Sequence, residues 1–178
     1  MDISISQAQD SDYPEIFHLV ETAFLPVIES DHREHLLVER LRHSDSFVPQ
    51  LSLVAKDHGG NISGFILLTE IEIVSEDGTT YKTLAVAPVA VLPEYQNQGI
   101  GGALLDHAHK TASSLGYNSA ILLGHKDYYP NFGYRKASDF KIRFPFDAPD
   151  DCCMAIELQP DALRHVQGIV RYPDTFFE

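Results

Sequence analysis

Hydrophobic residues recur at two different spacings in the first fifty residues and predict a strand followed by two helices. Ile3 and Ile5 alternate with serines, as in a half-buried strand. An apolar stripe at helical spacing then runs from Ile16 to Phe24 and stops near Pro26. A second helix is predicted over residues 33 to 43.

From Leu51 onward the spacing predicts strands. Apolar runs at 51–55 and 62–74 are separated by turn residues, and a second turn is predicted at Asp77-Gly78, which indicates an antiparallel meander. The run at 84–92 is apolar enough for a central strand buried on both faces. It contains Pro88, which cannot donate a ladder hydrogen bond, so a bulge is expected there.

Helical periodicity returns after Gly101 and stops at Gly116. Further strands are predicted at residues 119–123, 140–144, 154–158 and 168–171. With no repeat, low-complexity run or linker, the chain is expected to form a single domain, 1–178. The sequence of strands and helices predicts the fold class α/β (α+β).

Composition narrows the possible partners. The chain has 26 Asp and Glu against 13 Lys and Arg, a formal net charge of -13, so no nucleic acid is expected to bind. No apolar run could span a bilayer and the N-terminus has no basic leader, so we expect no membrane partner and a cytoplasmic location. The two cysteines, Cys152 and Cys153, are adjacent, and the histidines lack ligand spacing, so no metal is expected.

The segment from Leu92 to Leu104 is a glycine-containing loop between a buried strand and an amphipathic helix. The first amides of a helix lack intrahelical partners and carry partial positive charge, so such a loop can bind a phosphate. No Gly-Lys-Ser/Thr completes a P-loop, and Leu104 stands where a dinucleotide fingerprint needs glycine. The loop therefore indicates a different phosphorylated ligand.

The residues Gln96-x-x-Gly99-x-Gly101 resemble the Gln/Arg-x-x-Gly-x-Gly/Ala signature of the GNAT acyltransferase superfamily. The preceding strand and the segment from Tyr128 to Tyr134 resemble that family's flanking elements. The sequence of these segments most resembles the family's bacterial YhbS-like branch. Strong similarity covers residues 84–137. Two positions depart from the family pattern: neutral Gln96 replaces a frequent arginine, and Tyr134 replaces the usual phenylalanine.

The resemblance implies a mixed, mainly antiparallel sheet flanked by helices, with a splayed central cofactor cleft between two parallel central strands. It also implies that this cleft holds acetyl-CoA as cosubstrate, and that the acetyl group passes to a small-molecule or peptide amine by direct attack in a ternary complex. Alternatives are a catalytically silent acyl-CoA-binding regulator, another acyl group, or an O-acceptor. The implied cofactor-binding residues are Val89, Ala90, Val91, Gln96, Asn97, Gln98, Gly99, Ile100, Gly101 and Gly102. The C-terminal strand could pair with a second copy in a homodimer.

Acyl transfer to an amine needs a base for the ammonium and benefits from an acid for the departing thiolate. Tyr129 stands at the position of the family's usual tyrosine and is the candidate acid, with neighbouring Tyr128 as its competitor. Glu70 and Glu72 point to the same face of a strand and are the candidate bases. His125 and Asp127 are further candidates for the base.

Overall fold

The computed structural model describes residues 2–178. The α-helices are Tyr13–Phe24 (α1), Glu34–Arg42 (α2) and Ile100–Ser114 (α3). The strands are Ser4–Gln7 (β1), Phe47–Lys56 (β2), Ile62–Val74 (β3), Thr80–Val91 (β4), Ser119–Leu123 (β5), Arg135–Lys136 (β6), Ile142–Arg143 (β7), Cys153–Glu157 (β8) and Gly168–Arg171 (β9). Within residues 2–178, no helix combines the length and apolarity that a membrane crossing requires.

The strands form one sheet whose centre is parallel. The order is β1-β2-β3-β4-β5-β8-β6, and β9 pairs with β3 and with β7. Most neighbouring strands are antiparallel, whereas β4 runs parallel to β5 and β7 runs parallel to β9. The predicted mixed, mainly antiparallel sheet with two parallel central strands is therefore confirmed.

Strand β4 carries the bulge that the sequence predicts. Ile66 of β3 faces Val89, and Leu68 faces Val86, so two steps along β3 correspond to three along β4. The extra residue lies beside Pro88, which has no backbone N–H to give to a neighbour. A bulge of this kind bends the strand and ends regular pairing locally.

The parallel pairing of β4 with β5 is very short. Its register contains a single pair, Ala85 with Ile121. On the same face, two residues earlier in each strand, the buried hydroxyls of Thr83 and Ser119 are hydrogen-bonded at 2.7 Å. Beyond this point, within residues 2–178, β5 pairs only with β8, and β4 pairs only with β3. The two central strands therefore separate into a wedge that is closed at the hydroxyl pair.

Three apolar cores cover the sheet. The α3 core lies on one face and includes Ile66, Leu68, Leu84, Val86, Leu104, Leu105 and Ala108. The α1–α2 core lies on the other face and includes Ile16, Val20, Leu41, Phe65 and Leu67. The C-terminal core lies beside it on that second face and includes Ile71, Ile73, Ala85, Ile121, Cys153 and Val170. Phe176 packs against both cores of the second face and so lies over the seam between them.

The strand predicted at residues 140–144 is much shorter in the structure. Ala137–Phe140 forms a 3-10 turn, and Lys141 has a left-handed backbone with φ +59°, which leaves only β7 extended. Strands β2 and β4 begin four residues earlier than the predicted starts at Leu51 and Leu84. The extension of β2 includes the long-range pairing of Phe47 with Thr69, whereas that of β4 continues the hairpin with β3 across the turn at Asp77-Gly78. Both depend on pairing with β3, which local hydrophobic spacing does not show.

The first prediction concerns the closed end of the wedge. Replacing Thr83 by valine keeps the shape but leaves the buried Ser119 hydroxyl without its partner, so the free energy of unfolding should fall by ~1–3 kcal/mol. Urea denaturation of Thr83→Val measures this loss. The double variant Thr83→Val/Ser119→Ala should recover part of it, because neither hydroxyl is then buried alone. Strictly additive losses in the two single variants would show that the pair does not hold the strands.

Candidate active site

The loop between β4 and α3 exposes backbone amides at the start of the helix. Asn97 and Gly99 both have left-handed backbones, with φ of +60° and +83°, and α3 begins at Ile100. Successive amides in such a turn and in the first turn of a helix can converge on one anion. A Cβ at Gly99 would meet no atom within 4 Å, so the space beside this residue is open to a ligand. The loop thus has the geometry expected of a phosphate site.

The polar side chains of the loop make hydrogen bonds that fix the conformation of the loop. Gln96 donates to the backbone oxygen of Val91 at 3.0 Å, and Gln98 donates to that of Glu94 at 3.1 Å. The hydroxyl of Tyr95 donates to the Asp57 carboxylate at 3.0 Å. Glutamine at position 96 therefore fastens the loop to the end of β4, a role that needs no positive charge.

A cleft of about 680 Å³ lies between this loop and the segment that follows β5. We call it the β4–α3 cleft. Its lining residues are Val89, Val91, Tyr95, Gln96, Asn97, Gly99, Ile100, Gly101, Gly102, Ala103, Asp106, Tyr128, Tyr129 and Phe132. This set, drawn from the described residues, contains carboxylate Asp106 but neither lysine nor arginine. Backbone amides are therefore the positive groups that an anion in the cleft can meet.

The end of β4 presents an unpaired backbone edge to the wedge. Leu92 donates its N–H to Ser63 on β3, so backbone groups alternate from there toward β3 and away from it. By this alternation the backbone groups of Val89 and Val91 face the wedge, whereas those of Ala90 face β3. Of the three candidate positions on β4, two thus offer free hydrogen-bonding groups.

Tyr129 lies deep in the cleft, against the end of β5. Its ring seats on Gly124, where a Cβ would come within 2.4 Å of a ring carbon, and it meets the Tyr134 ring edge-on at 5.9 Å. Burial raises the pKa of Tyr129 above its ordinary value. The phenol consequently stays protonated at neutral pH and can donate a hydrogen bond.

Tyr128 occupies a different part of the same cleft. A Cβ at Gly101 would come within 2.6 Å of its hydroxyl oxygen, so this hydroxyl lies against the first turn of α3. The two rings meet edge-on at 5.0 Å. Burial also raises the pKa of Tyr128. The neighbouring tyrosines therefore occupy separate regions: the hydroxyl of Tyr128 lies at the helix start, and the ring of Tyr129 lies at the end of β5.

Tyr134, which departs from the family pattern, has a partner for its extra hydroxyl. The residue is 2% exposed, and its hydroxyl is hydrogen-bonded to Nε2 of His109 at 2.7 Å. Burial lowers the pKa of His109, so the neutral imidazole can accept this bond. The substitution is thus accommodated by a histidine of α3, and the Tyr134 ring still supports Tyr129.

The structure does not bring Glu70 and Glu72 to the cleft. Glu70 accepts a hydrogen bond of 2.6 Å from Tyr117, just beyond the end of α3, and pairs with Lys82 at 3.2 Å. Since α3 has 15 residues, Tyr117 lies ~22 Å from the loop at the start of that helix. Glu72 is bound by Arg171 of β9.

Their environments also differ from that of a general base. The Tyr117 hydrogen bond lowers the pKa of Glu70, and burial together with that bond raises the pKa of Tyr117 to about 12. A carboxylate held in this way is a weaker proton acceptor than a free one. The other two candidates, His125 and Asp127, are exposed in the turn before Tyr128 and do not line the β4–α3 cleft.

Cys153, which the sequence places far from the glycine loop, lies beside β5 in the fold. It pairs with Leu123 at the last position of that strand. Burial raises the pKa of the Cys153 thiol, so it remains protonated at neutral pH. Proximity to the wedge therefore does not make it an activated nucleophile.

Comparison with known proteins identifies the architecture. The acetyltransferase (GNAT) domain matches residues 4–137. The uncharacterized N-acetyltransferase YhbS of Escherichia coli (strain K12) is 30% identical over 165 residues, which cover 93% of each chain. The uncharacterized N-acetyltransferase YjhQ of the same strain is 33% identical over 120 residues, or 67% of this chain and 65% of that protein.

Two solved structures extend the similarity to the whole fold. The crystal structure of Escherichia coli YhbS in complex with CoA superposes with a TM-score of 0.88 at 27% identity and covers 99% of this chain and 92% of that one. A GNAT acetyltransferase from Brucella melitensis in complex with acetyl-CoA superposes with a TM-score of 0.80 at 28% identity, covering 98% of both chains. Together with the domain match, these similarities confirm the resemblance seen in the sequence: this chain belongs to the GNAT acetyltransferase family.

Proposed function

We propose that this protein transfers the acetyl group of acetyl-CoA to an amine by direct attack in a ternary complex. The observation that carries the proposal is the β4–α3 cleft. It combines the free amides of the α3 start, the open backbone edge of β4 and a protonated Tyr129. Two similar proteins have been crystallised with CoA and with acetyl-CoA, which supports the same cosubstrate here.

The residues of this chain divide the binding of the cosubstrate between two elements. The amides near Gly99 and Gly101 would hold the diphosphate of acetyl-CoA. The backbone groups of Val89 and Val91 would pair with the amide groups of its pantetheine arm. Asn97, Gln98, Ile100 and Gly102 shape the same loop. The thioester would then reach the wedge between β4 and β5, near the end of β5 where the ring of Tyr129 packs on Gly124.

In the proposed reaction the amine nitrogen attacks the thioester carbonyl carbon. A carbon–nitrogen bond forms, the carbon–sulfur bond breaks, and Tyr129 gives its proton to the departing sulfur and regains one from solvent. The proton lost by the attacking amine passes to water, because none of the four candidate bases lines the cleft. The protonated Cys153 thiol supports this direct route over an acyl-cysteine.

A thiol-release assay with acetyl-CoA and a panel of small amines, amino acids, aminoglycosides and peptides tests the proposal. Release that depends on one class of amine, with acetylated product found by mass spectrometry, supports it. Tight acetyl-CoA binding without release for any amine would instead favour a silent acyl-CoA-binding regulator. Release with alcohols alone, or only with longer acyl groups, would favour an O-acceptor or a different acyl donor.

Cosubstrate binding should depend on the backbone at Gly99. An alanine there is strained by ~1–2 kcal/mol in the left-handed region and places a methyl group in the open space beside the amides. We expect Gly99→Ala to weaken acetyl-CoA binding at least ~10-fold by calorimetry, or ~1.4 kcal/mol. Gly78→Ala is the matched control, since Gly78 has φ +86° and equally open surroundings in a distant turn. Equal affinities for the two variants would place the diphosphate elsewhere.

Tyr129→Phe should slow the chemical step and leave acetyl-CoA binding nearly intact. The substitution keeps the ring that packs on Gly124 and removes only the proton donor, so kcat should fall ~10²-fold, the lower end for a positioned acid. Stopped-flow turnover and calorimetry separate the two quantities. Tyr128→Phe should weaken acetyl-CoA binding and leave kcat nearly unchanged, because its hydroxyl lies at the helix start. A loss of kcat in Tyr128→Phe alone would transfer the acid role to that residue.

Glu70→Gln and Glu72→Gln should leave kcat/KM within ~2-fold, because both carboxylates are engaged away from the cleft. The effect of Glu70→Gln should be on stability. Since the folded pKa of Glu70 is lowered, its ionised form stabilises the fold above its ordinary pKa, and this contribution is lost as pH falls through the folded value. Denaturation from pH 7 to pH 3 should show less acid sensitivity in the variant. A shifted pH profile of kcat/KM in either variant would show that the replaced glutamate acts as a general base.

A further inference from the structure

The loop between β4 and α3 is joined to other parts of the chain by very few side-chain hydrogen bonds. The bonds made by Gln96 and Gln98 stay within the loop and the end of β4, so they fix its conformation but not its position against the neighbouring strands. Within residues 2–178, the side-chain hydrogen bond that ties the loop to a distant segment is the bond of 3.0 Å from Tyr95 to Asp57. Asp57 is therefore placed to set where the loop lies.

Asp57 is held in one orientation by its own turn. It is the first residue of the turn 57–61 between β2 and β3, and its Oδ1 accepts the backbone N–H groups of Gly59 at 2.8 Å and Asn61 at 3.0 Å. Its Oδ2 accepts the hydroxyl of Tyr95. The hydrogen bonds from Asn61 lower the pKa of Asp57, so an ionised carboxylate accepts from Tyr95 at neutral pH.

Tyr95 connects this turn to the β4–α3 cleft. It is the last residue of the 3-10 turn Pro93–Tyr95 that leads into the loop, and its ring lines the cleft and packs against the α3 core. The left-handed residues Asn97 and Gly99 follow it within four positions. A shift of the Tyr95 ring would consequently move one wall of the cleft together with the amides that follow it.

The hairpin that carries Asp57 also supports the other end of the loop. A Cβ at Gly64 of β3 would come within 3.0 Å of side-chain atoms of Ile100 and of Leu104, so the start of α3 packs directly on the β3 backbone. The β2–β3 hairpin thus contacts the chain on both sides of Asn97 and Gly99. The contact after the amides is apolar packing, and the contact before them is the hydrogen bond from Tyr95 to Asp57.

We propose that Asp57 is a positioning residue for the cosubstrate, because its hydrogen bond with Tyr95 holds the loop where the backbone amides converge on a diphosphate. This inference rests on the proposed function, since it concerns binding of the same acetyl-CoA. Asp57 is not among the described residues that line the cleft, and it acts through Tyr95. Donors that are fixed before binding cost less to order when the ligand arrives.

Charge alone predicts the opposite effect. A carboxylate near an anion site repels a diphosphate, so its removal would tighten acetyl-CoA binding if Asp57 acted only through its charge. Removal weakens binding if Asp57 positions the loop. The sign of the change in affinity therefore distinguishes the two roles.

The turn 75–79 between β3 and β4 is a matched control within the chain. Both turns are closed by backbone hydrogen bonds from the first residue to the fifth and from the fourth residue to the first. In this turn Asp77 accepts the backbone N–H of Thr79 at 2.9 Å, much as Asp57 serves its own turn. The 13 residues of β3 separate the two turns by ~40 Å, so Asp77 is far from the loop.

Calorimetric titration of acetyl-CoA tests the proposal without depending on turnover. Asp57→Ala and Tyr95→Phe should each raise Kd at least ~5-fold, and the double variant should bind about as weakly as the weaker single variant. Asp77→Ala should stay within ~2-fold of wild type. Asp57→Asn should retain most of the affinity, because its amide oxygen can accept from the turn and its amide nitrogen can donate to Tyr95.

A second readout separates positioning from a general loss of structure. With any amine that wild type acetylates, Asp57→Ala and Tyr95→Phe should raise KM for acetyl-CoA, while kcat at saturating acetyl-CoA stays within ~2-fold. The Tm should fall to a similar extent in Asp57→Ala and Asp77→Ala, because each loses the hydrogen bonds of its own turn. If Asp57→Ala does not fold, Tyr95→Phe decides, since it leaves the turn and the charge intact.

Unchanged or tighter acetyl-CoA binding by Asp57→Ala would overturn this inference while the proposed function stands. An equal loss of affinity in Asp77→Ala, or strictly additive losses in the double variant, would overturn it as well, because the effect would then not pass through the bond between Asp57 and Tyr95. Absence of acetyl-CoA binding by wild type would contradict both this inference and the proposed function.

Discussion

The structure depends on a sheet that is closed at one end of its central strand pair and open at the other. Strands β4 and β5 pair at one register position, and the buried hydroxyls of Thr83 and Ser119 join them at the closed end. At the open end, Pro88 and its bulge turn β4 away from regular pairing. Each strand still keeps a full ladder on its outer side, so the wedge interrupts the centre of the sheet without breaking the sheet in two.

The position of this wedge brings elements from both faces of the sheet close to one place. The start of α3 and Tyr129 approach from the α3 side. On the other side, the seam between two separate cores ends at Thr69 and Ala85, where the strands part. In a continuous sheet the paired backbone separates the groups on one face from those on the other. The gap at the centre removes this separation at the open end of the wedge.

The sequence predicted the features that are local or that a single residue imposes. Pro88 required a bulge, and the glycines at 99 and 101 required a strand-to-helix turn open to a ligand. Features set by long-range contacts could not be predicted in this way. Glu70 and Glu72 share a face of β3 as expected, but the partners that engage them, Tyr117 and Arg171, are 47 and 99 residues away in the chain.

The same limit applies to Cys153, Thr69 and Glu34. Cys153 lies beside β5 only because β8 pairs there. Among the described residues, Thr69 and Glu34 each have one buried oxygen without a hydrogen-bond partner, and an absent partner leaves no pattern in the sequence. By contrast, the resemblance of Gln96 to Gly101 carried the family assignment, since a backbone-based anion site needs particular residues at fixed spacing.

The acidic character of the chain gives backbone amides an advantage over lysine side chains as an anion site. At a net charge of -13, lysines placed in the cleft would attract the surrounding carboxylates as well as a phosphate. Amides held in place by the turn at Asn97 and Gly99 cannot form ion pairs with carboxylates, and they cannot rotate away from a bound phosphate. The unpaired edge of β4 works in the same way, because its groups are oriented by the ladder with β3. A cosubstrate that pairs with this edge completes the hydrogen bonding that the wedge leaves open, so its binding should also stabilise the fold.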